Sequence, residues 1–445
     1  MRETISQQRP LVASVIHHHH AAELDKMGEL LSSLRGAARR VTVDLHNGVT
    51  HTHLGRRGLS GEQVLRMLVL KQMTGFSYEQ LAFHLEDSSS YRRFCVLGID
   101  GSSPRASTLQ ANIKRVRPET LEWINRRLVK RAVTLEVEDG AVVRVDSTAV
   151  ESDIHHPNDS SLLRDGIREL TRLLKKSRAL VDVAFSNHNR RAKRRALGIS
   201  NAKRMKHRVP LYRELLMLGA KTLGYAREAL RLLGRSRREA ALTLRTKLQR
   251  VVELFCRVID QTQRRVFQGQ SVPAKEKVVS MFEPHTDILL KGGRETQYGH
   301  KVFVTTGRSG LVLDLTVERG NPADATKSVP LIERITKLLG TTPLQVAFDA
   351  GFASQANQAA LVDHGVEELA FAKNSALDVM RSVSSPAKHR ELQRFRAGIE
   401  ASISWLKRSF GLGRCTWSGF ESFQAYVWSS ALSANLLLLV RRATE

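Results

Sequence analysis

Between residues 161 and 270 the chain carries 28 Lys or Arg against eight Asp or Glu, an excess of 20 positive charges in 110 residues, out of +26 for all 445. A folded segment so charged repels itself unless phosphates or acidic neighbours offset it. The same segment repeats apolar residues at helical spacing: Leu163, Ile167, Leu170, Leu174; then Leu216, Leu223, Ala226, Leu230, Leu233; then Leu244, Leu248, Val251, Phe255, Val258. That periodicity predicts three helices. Between the first two, Arg190 to Arg208 holds nine Lys or Arg, among them Arg191, Lys193, Arg194 and Arg195, and no acid. A short charge run is often only a solvated face. Concentrated on one helical unit, it points to a polyanion, with double-stranded DNA ahead of an anionic membrane surface.

The rest of the chain can build cores, because 42% of residues are hydrophobic and the length allows roughly three domains at about 150 residues each. Cys95, Cys256 and Cys415 are odd in number and far apart. They make neither a disulfide framework nor a Cys-rich zinc site, and a reducing cytoplasm, with association to the nucleoid, fits. The Leu436 to Val440 run falls short of the ~20 residues a membrane span requires, and the N-terminal Leu-Val-Ala-Ser-Val-Ile has no signal-like core. No membrane is expected as a partner.

Residues 1–135 read as an all-helical, helix-turn-helix-like DNA-binding region. Apolar residues over Gly61 to Met73, a break at Gly75, and Ser77 with Gln80 as a capping box opening Tyr78 to Leu85 give helix, turn, helix. A Ser107 cap opens a further helix, Thr108 to Val116. Beyond it strand and helix alternate. Ala141–Val145, Lys277–Met281, His300–Thr306, Leu311–Val317, Leu344–Phe348 and Glu368–Ala372 read as strands, the third and fourth joined at Arg308-Ser309-Gly310. Ala325–Leu339, Ala353–Val362 and Leu392–Ser409 read as helices. The fold class is therefore α/β, a core whose first part (136–157) is severed by a basic helical insertion (158–270) from its remainder, which ends in a C-terminal helix (271–445).

Two carboxylates follow buried strands: Asp146 after Val-Arg-Val, and Asp349 in Val-Ala-Phe-Asp-Ala-Gly-Phe. Strand C-terminal ends in α/β sheets gather sites, although either acid alone is more often a cap or turn residue. Glu400 lies within the last of these helices, where a solvated position is the plain alternative. At 100° per residue Arg396, Glu400 and Lys407 share one stripe of that helix. Three converging carboxylates repel one another unless hard cations sit among them, and two such ions can support an in-line phosphoryl displacement.

The residues that follow Asp146, the Phe-Asp-Ala-Gly-Phe around Asp349, and Arg396, Glu400, Ser404 and Lys407 resemble the DDE transposases of bacterial insertion sequences, in particular the ISNCY branch. The resemblance runs from about residue 25 to the end. It implies a ribonuclease-H-like catalytic core, two Mg²⁺ (or Mn²⁺) ions per active site, and cleavage and joining of DNA at inverted-repeat ends and target, by a homodimer or higher oligomer on DNA. It makes Asp146, Asp349 and Glu400 the catalytic and metal-binding triad, with Arg396 and Lys407 facing DNA. Related transposases place a Tyr three residues before the Arg; here that residue is Gln393.

Other residues compete. His17–His20 read as a polar N-terminal segment rather than a metal site. His155 and His156, with Glu151 and Asp153, follow Asp146 closely and read as loop residues. Trp405 and Trp417 could stack on an unpaired base, although packing is the commoner use. The rival functions are a metal-dependent DNA nuclease lacking strand transfer and a non-catalytic DNA-binding protein.

Overall fold

The computed structural model describes residues 4–5, 16, 18–51, 58–98, 102–291, 295–372 and 378–443. His17 and residues 11–15 of the short apolar run lie outside them. The chain divides into two compact units, Met1–Ser152 with Gly299–Glu445, and Asp153–Tyr298.

The first unit opens with seven helices: α1 His19–Ser33, α2 Ala37–His46, α3 Gly61–Thr74, α4 Tyr78–Asp87, α5 Ser89–Phe94, α6 Ala106–Ile113 and α7 Pro118–Thr134. Ser60 and Gln63 close a capping box on α3, Gly75 ends it at φ 68°, and Ser77 with Gln80 closes a second box on α4. Gly75 can take this left-handed conformation because it has no Cβ. The expected Ser107 cap is not used: α6 begins at Ala106 behind Arg105, with no side-chain cap, and Ser107 lies in its first turn.

After β1, Val142–Glu151, the chain enters the second unit with α8 Asp159–Ser177, α9 Asn189–Asn201, α10 Met205–Leu233 and α11 Glu239–Thr262, the last continued by a π turn at Gln263–Phe267. Four helices stand where the sequence pattern predicts three. The additional α9 buries only Ala192, Ala196 and Ile199, a seam too slight to show among Arg and Lys. The unit's own core is dense. Phe255 lies against Gly166 so closely that a Cβ there would come within 2.0 Å of the ring. Lys277–Met281 is not a strand: Val278 donates its N–H to Gln261 Oε1 (2.9 Å) and accepts at its carbonyl from Gln261 Nε2 (3.2 Å), so a side chain supplies what a neighbouring strand otherwise would.

The chain then forms β2 Asp287–Lys291 and β3 Glu295–Gly307, and the first unit resumes within β3. There follow β4 Val312–Glu318, a 3₁₀ turn Asp324–Lys327, α12 Ser328–Leu339, β5 Gln345–Phe348, α13 Gln355–Asp363, β6 Glu368–Phe371, α14 Pro386–Ser409 and α15 Phe420–Arg442. Among the described residues the sheet has the order β2-β3-β1-β5-β6, with β4 also on β3. β1 runs antiparallel to β3, from Val143↔Gly307 to Glu151↔Gly299, and parallel to β5, which is parallel to β6. This mixed sheet with an N-terminal helical region is consistent with a ribonuclease-H-like core. α14 starts behind a Ser385 cap with Pro386 at its first position, earlier than the expected Leu392.

α15 stands where a C-terminal helix of the core is expected, but its bounds could not be read, because it is buried on nearly every side and has no amphipathic period to detect. By length and composition it could cross a membrane, with mean hydropathy 1.3 over 18 residues, but 89% of that window is buried and it packs on α7, α3 and α1 as a core helix. Asn435, 1% exposed, is its polar anchor. Its Oδ1 accepts from Val312 N–H (2.8 Å), and its Nδ2 donates to Val312 C=O (2.7 Å) and Asn125 Oδ1 (2.8 Å). Asn125 of α7 donates to the same carbonyl (3.2 Å), so the start of edge strand β4 is tied to two helices.

Candidate active site

Asp146 is mid-strand, not at the strand end that the sequence suggests: β1 continues to Glu151 because Ser147–Glu151 pair with β3. The parallel ladder with β5, however, stops at Val145↔Phe348. Asp146 and Asp349 are the next residue of each strand and stand side by side at the C-terminal edge of the parallel pair. Burial pushes the half-buried Asp146 carboxyl up to about 6; the Ser147 N–H (2.7 Å) and Arg396 oppose the rise, while Asp349 and Asp324 add to it.

The third acid is brought near through an arginine. Arg396 of α14 places Nη1 3.5 Å from Asp349 Oδ1 and Nη2 3.7 Å from Glu400 Oε1. Glu400 is 70% exposed while Arg396 is 17% exposed. Arg396 Nε and Gln393 Nε2, one helical turn apart, are both buried without a protein partner. Arg144 sets the height of α14. Its Nε donates to Thr306 Oγ1 (2.9 Å) and its Nη1 to the Phe395 carbonyl (2.7 Å), and a Cβ on Gly398 would lie 2.1 Å from that nitrogen. Only glycine lets the helix rest on this guanidinium.

Sequence reasoning missed Asp324. It lies in a 3₁₀ turn where the sequence suggests the approach to a helix, and a lone acid there reads as a cap. Its Oδ1 accepts from Lys301 Nζ (3.0 Å), which also donates to Pro322 C=O (2.9 Å). The one signal was the glycine of Asp-Ala-Gly-Phe: a Cβ on Gly351 would come 2.9 Å from Asp324 Oδ2. Asp146 feels the charges of Asp349 and Asp324, and carboxylate oxygens are the donors that hard divalent cations take. The donor set thus fits Mg²⁺ or Mn²⁺ in kind. Among the described residues no three His, Cys, Asp or Glu side chains form a ready cage, and Arg396 stands between Asp349 and Glu400.

The remaining candidates fall elsewhere. Trp417 is 3% exposed and packs edge-on to Tyr426, and Trp405 packs edge-on to Phe410, so both belong to the core. In the second unit His155 Nε2 lies 3.5 Å from Asp165 and His156 meets Tyr298 edge-on. On α9, Arg191, Lys193 and Arg194 are exposed together with Arg190, opposite Ala192, Ala196 and Ile199. Arg195 is different: it donates to Glu214 Oε2 at 2.7 Å, so an acid within its own unit already offsets its charge.

Residues 256–436, which hold Asp349, Glu400 and β3 to β6, match the family described as Transposase DDE domain. The chain carries a transposase DDE domain. Residues 17–115 match a second family, Transposase domain (DUF772), which covers α1 to α6. No curated protein and no solved structure matches the chain. The DDE domain belongs to a catalytic family of polynucleotidyl transferases, and its presence implies transposition, DNA binding and the use of divalent metals. Asp146 lies upstream of the matched stretch, beyond the basic insertion. The register of β1 on β5 is what seats it beside Asp349.

The elevated Asp146 carboxyl has a stability consequence. A group whose folded value, about 6, exceeds its usual 3.8 stabilises the fold most below pH 4, and that contribution is lost as pH rises through 6. Asp146→Asn is therefore expected to stabilise the metal-free transposase by about 1–3 kcal/mol at pH 7.5, with the gain fading below pH 4. Denaturant melts in EDTA at both pH values check this, and equal stability of the two proteins at pH 7.5 counts against it.

Proposed function

We propose that this protein is a DNA transposase of the ISNCY type that cleaves and joins phosphodiester bonds at the inverted-repeat ends of an insertion sequence, with Asp146, Asp349 and Glu400 as its catalytic and metal-binding acids. The observation that carries the reading is the register that puts Asp146 beside Asp349 at one sheet edge, with Arg396 spanning Asp349 and Glu400. Two bound Mg²⁺ or Mn²⁺ ions would supply Lewis-acid polarisation of the scissile phosphate and activation of the attacking oxygen. The chain's own groups do the rest. Asp146 and Asp349 hold negative charge on a rigid sheet edge, and Glu400 offers a carboxylate from the facing helix. Arg396, once it leaves the carboxylates, presents a bidentate fork to a phosphate, and Lys407 a point charge. Both DNA ends and target enter as duplexes, bound by a homodimer or higher oligomer in the cytoplasm at the nucleoid.

The test is incubation of the full chain with labelled end duplex, supercoiled target and Mg²⁺. Strand-joined products are expected beside cleaved ends. Cleavage with no joining reduces the function to a nuclease, and neither product removes it.

The exposed cations of α9 belong to the same reading. Neutralising Arg190, Arg191, Lys193 and Arg194 should weaken binding to every duplex and flatten log affinity against log salt by about one unit per lost contact. Arg195→Ala should leave that slope unchanged, because Glu214 holds its guanidinium. An unchanged slope in the fourfold variant makes α9 a solvated face.

A further inference from the structure

The sequence pattern of helix, Gly75 turn and helix would make α4 the base-reading element. The surface of α4 argues otherwise. Its exposed residues are Glu79, Gln80, Phe83, Glu86 and Asp87, three of them acids, and no Lys or Arg occurs in it. A helix laid in a DNA groove sits between two phosphate rows, where three carboxylates are repelled. α6 has the opposite character. It buries Leu109, Asn112 and Ile113 and exposes Ser107, Thr108, Gln110 and Ala111, with Arg105 at one end and Lys114 and Arg115 at the other. At 100° per residue Ser107, Ala111 and Lys114 form one stripe, with Thr108 and Gln110 on its two flanks. Eight residues make a rod about 12 Å long, the width of a major groove.

A cationic track leads away from this helix. One cavity is lined by Lys114, Arg115, Arg117, Asp44 and Glu421, and a second by Asp44, Arg117, Arg40, Arg39 and Glu119; they meet at Asp44 and Arg117, whose Nε lies 3.4 Å from both glutamates, so the positive charge of the track rests on Lys114, Arg115, Arg39 and Arg40. The acid at the junction faces inward: Asp44 is 7% exposed and its Oδ2 accepts the Arg117 N–H at 2.9 Å. Arg40 is braced on Trp123, its guanidinium carbon 4.4 Å from the ring centre, with Arg127 5.1 Å from the same ring. Braced guanidiniums at a groove's edge are what a phosphate row requires.

We propose that α6 is the helix that reads base edges in duplex DNA, through Ser107, Thr108, Gln110 and Ala111, and that the track from Lys114 to Arg39 and Arg40 holds the flanking phosphates. This rests on the transposase reading above. Gln110 can address adenine in bidentate fashion and Ala111 a thymine methyl. The acidic face of α4 keeps that helix out of the groove.

The probe is a library of random duplexes, selected on the full-length protein and sequenced. Wild-type protein is expected to enrich one motif. Gln110→Ala should lower preference for that motif over random DNA about tenfold, the discrimination of one well-placed contact. Arg39→Ala and Arg40→Ala should weaken binding to all sequences and lower the salt slope by about one each, at unaltered motif. Glu79→Gln with Glu86→Gln should leave the motif as it is. A motif unaltered by Gln110→Ala, or one changed by the α4 variant, overturns this assignment alone. No motif from the wild-type protein overturns it together with the reading on which it rests.

Discussion

Asp349→Asn is expected to abolish Mg²⁺-dependent cleavage of end DNA, by on the order of a thousandfold or more, while leaving affinity for the duplex nearly unchanged. The acid is 47% exposed at the sheet edge, so the amide fits without repacking. In the proposed function, what is lost is one of the two adjacent carboxylates that would hold metal, and with it several kcal/mol of charge stabilisation at the phosphate. Affinity survives because the cations assigned to DNA, on α9, along the Lys114 to Arg39 track and at Arg396 and Lys407, are unchanged by this substitution. Glu400→Gln should behave in the same way. Residual Mg²⁺-dependent nicking by Asp349→Asn at more than a few per cent of wild type would remove this residue from the chemistry.

The second large effect concerns stability. Asn435→Leu keeps the volume of the side chain but orphans Val312 N–H and Asn125 Oδ1 and removes one of two donors to Val312 C=O, all deep in the core. Two stranded polar groups and a broken network should cost about 3 kcal/mol. For a unit of about 300 residues the melting temperature should fall by roughly 5 °C. DNA cleavage by the remaining folded protein at 20 °C should stay close to wild type, since Asn435 lies away from the sheet edge that bears the acids. A melting temperature within 2 °C of wild type would mean that the network contributes little.

Much of this architecture is legible in residue pattern, and the failures have physical causes. The capping box at Ser77 depends on Gln80 three residues away, so it can be read locally, and it occurs. Asp349 follows a strand of only four residues, three of them apolar, so its position at a strand end is visible. The apolar run of β1 ends at Val145, so the sequence puts Asp146 at a strand end; Ser147 and Thr148 are strand because β3, more than 150 residues away, pairs with them. α9 is hidden by its charges, and the bounds of α15 by its burial on nearly every side. Asp324 could not be found from spacing, since its nearness to Asp146 depends on a turn that no periodicity marks. The pairing of Arg396 with both Asp349 and Glu400 was half visible: the helical stripe was legible, but its contact across to the sheet depends on Gly398 resting over Arg144.

The register at the far end of β1 has a further meaning. Glu151 lies directly opposite Gly299, and a Cβ on Gly299 would press to 1.9 Å from the Val150 carbonyl, so the two strands meet there at the closest approach that chains allow. Topologically, the helices α8 to α11 are inserted between the two paired ends, and β2, which follows them, pairs with β3. Lengthening a loop is thermodynamically mild, about 0.6 kcal/mol for each doubling. The register of β1 on β5 therefore does not depend on the length of those helices. Lineages could shorten, enlarge or recharge the insert to suit different DNA without shifting Asp146 from its place beside Asp349.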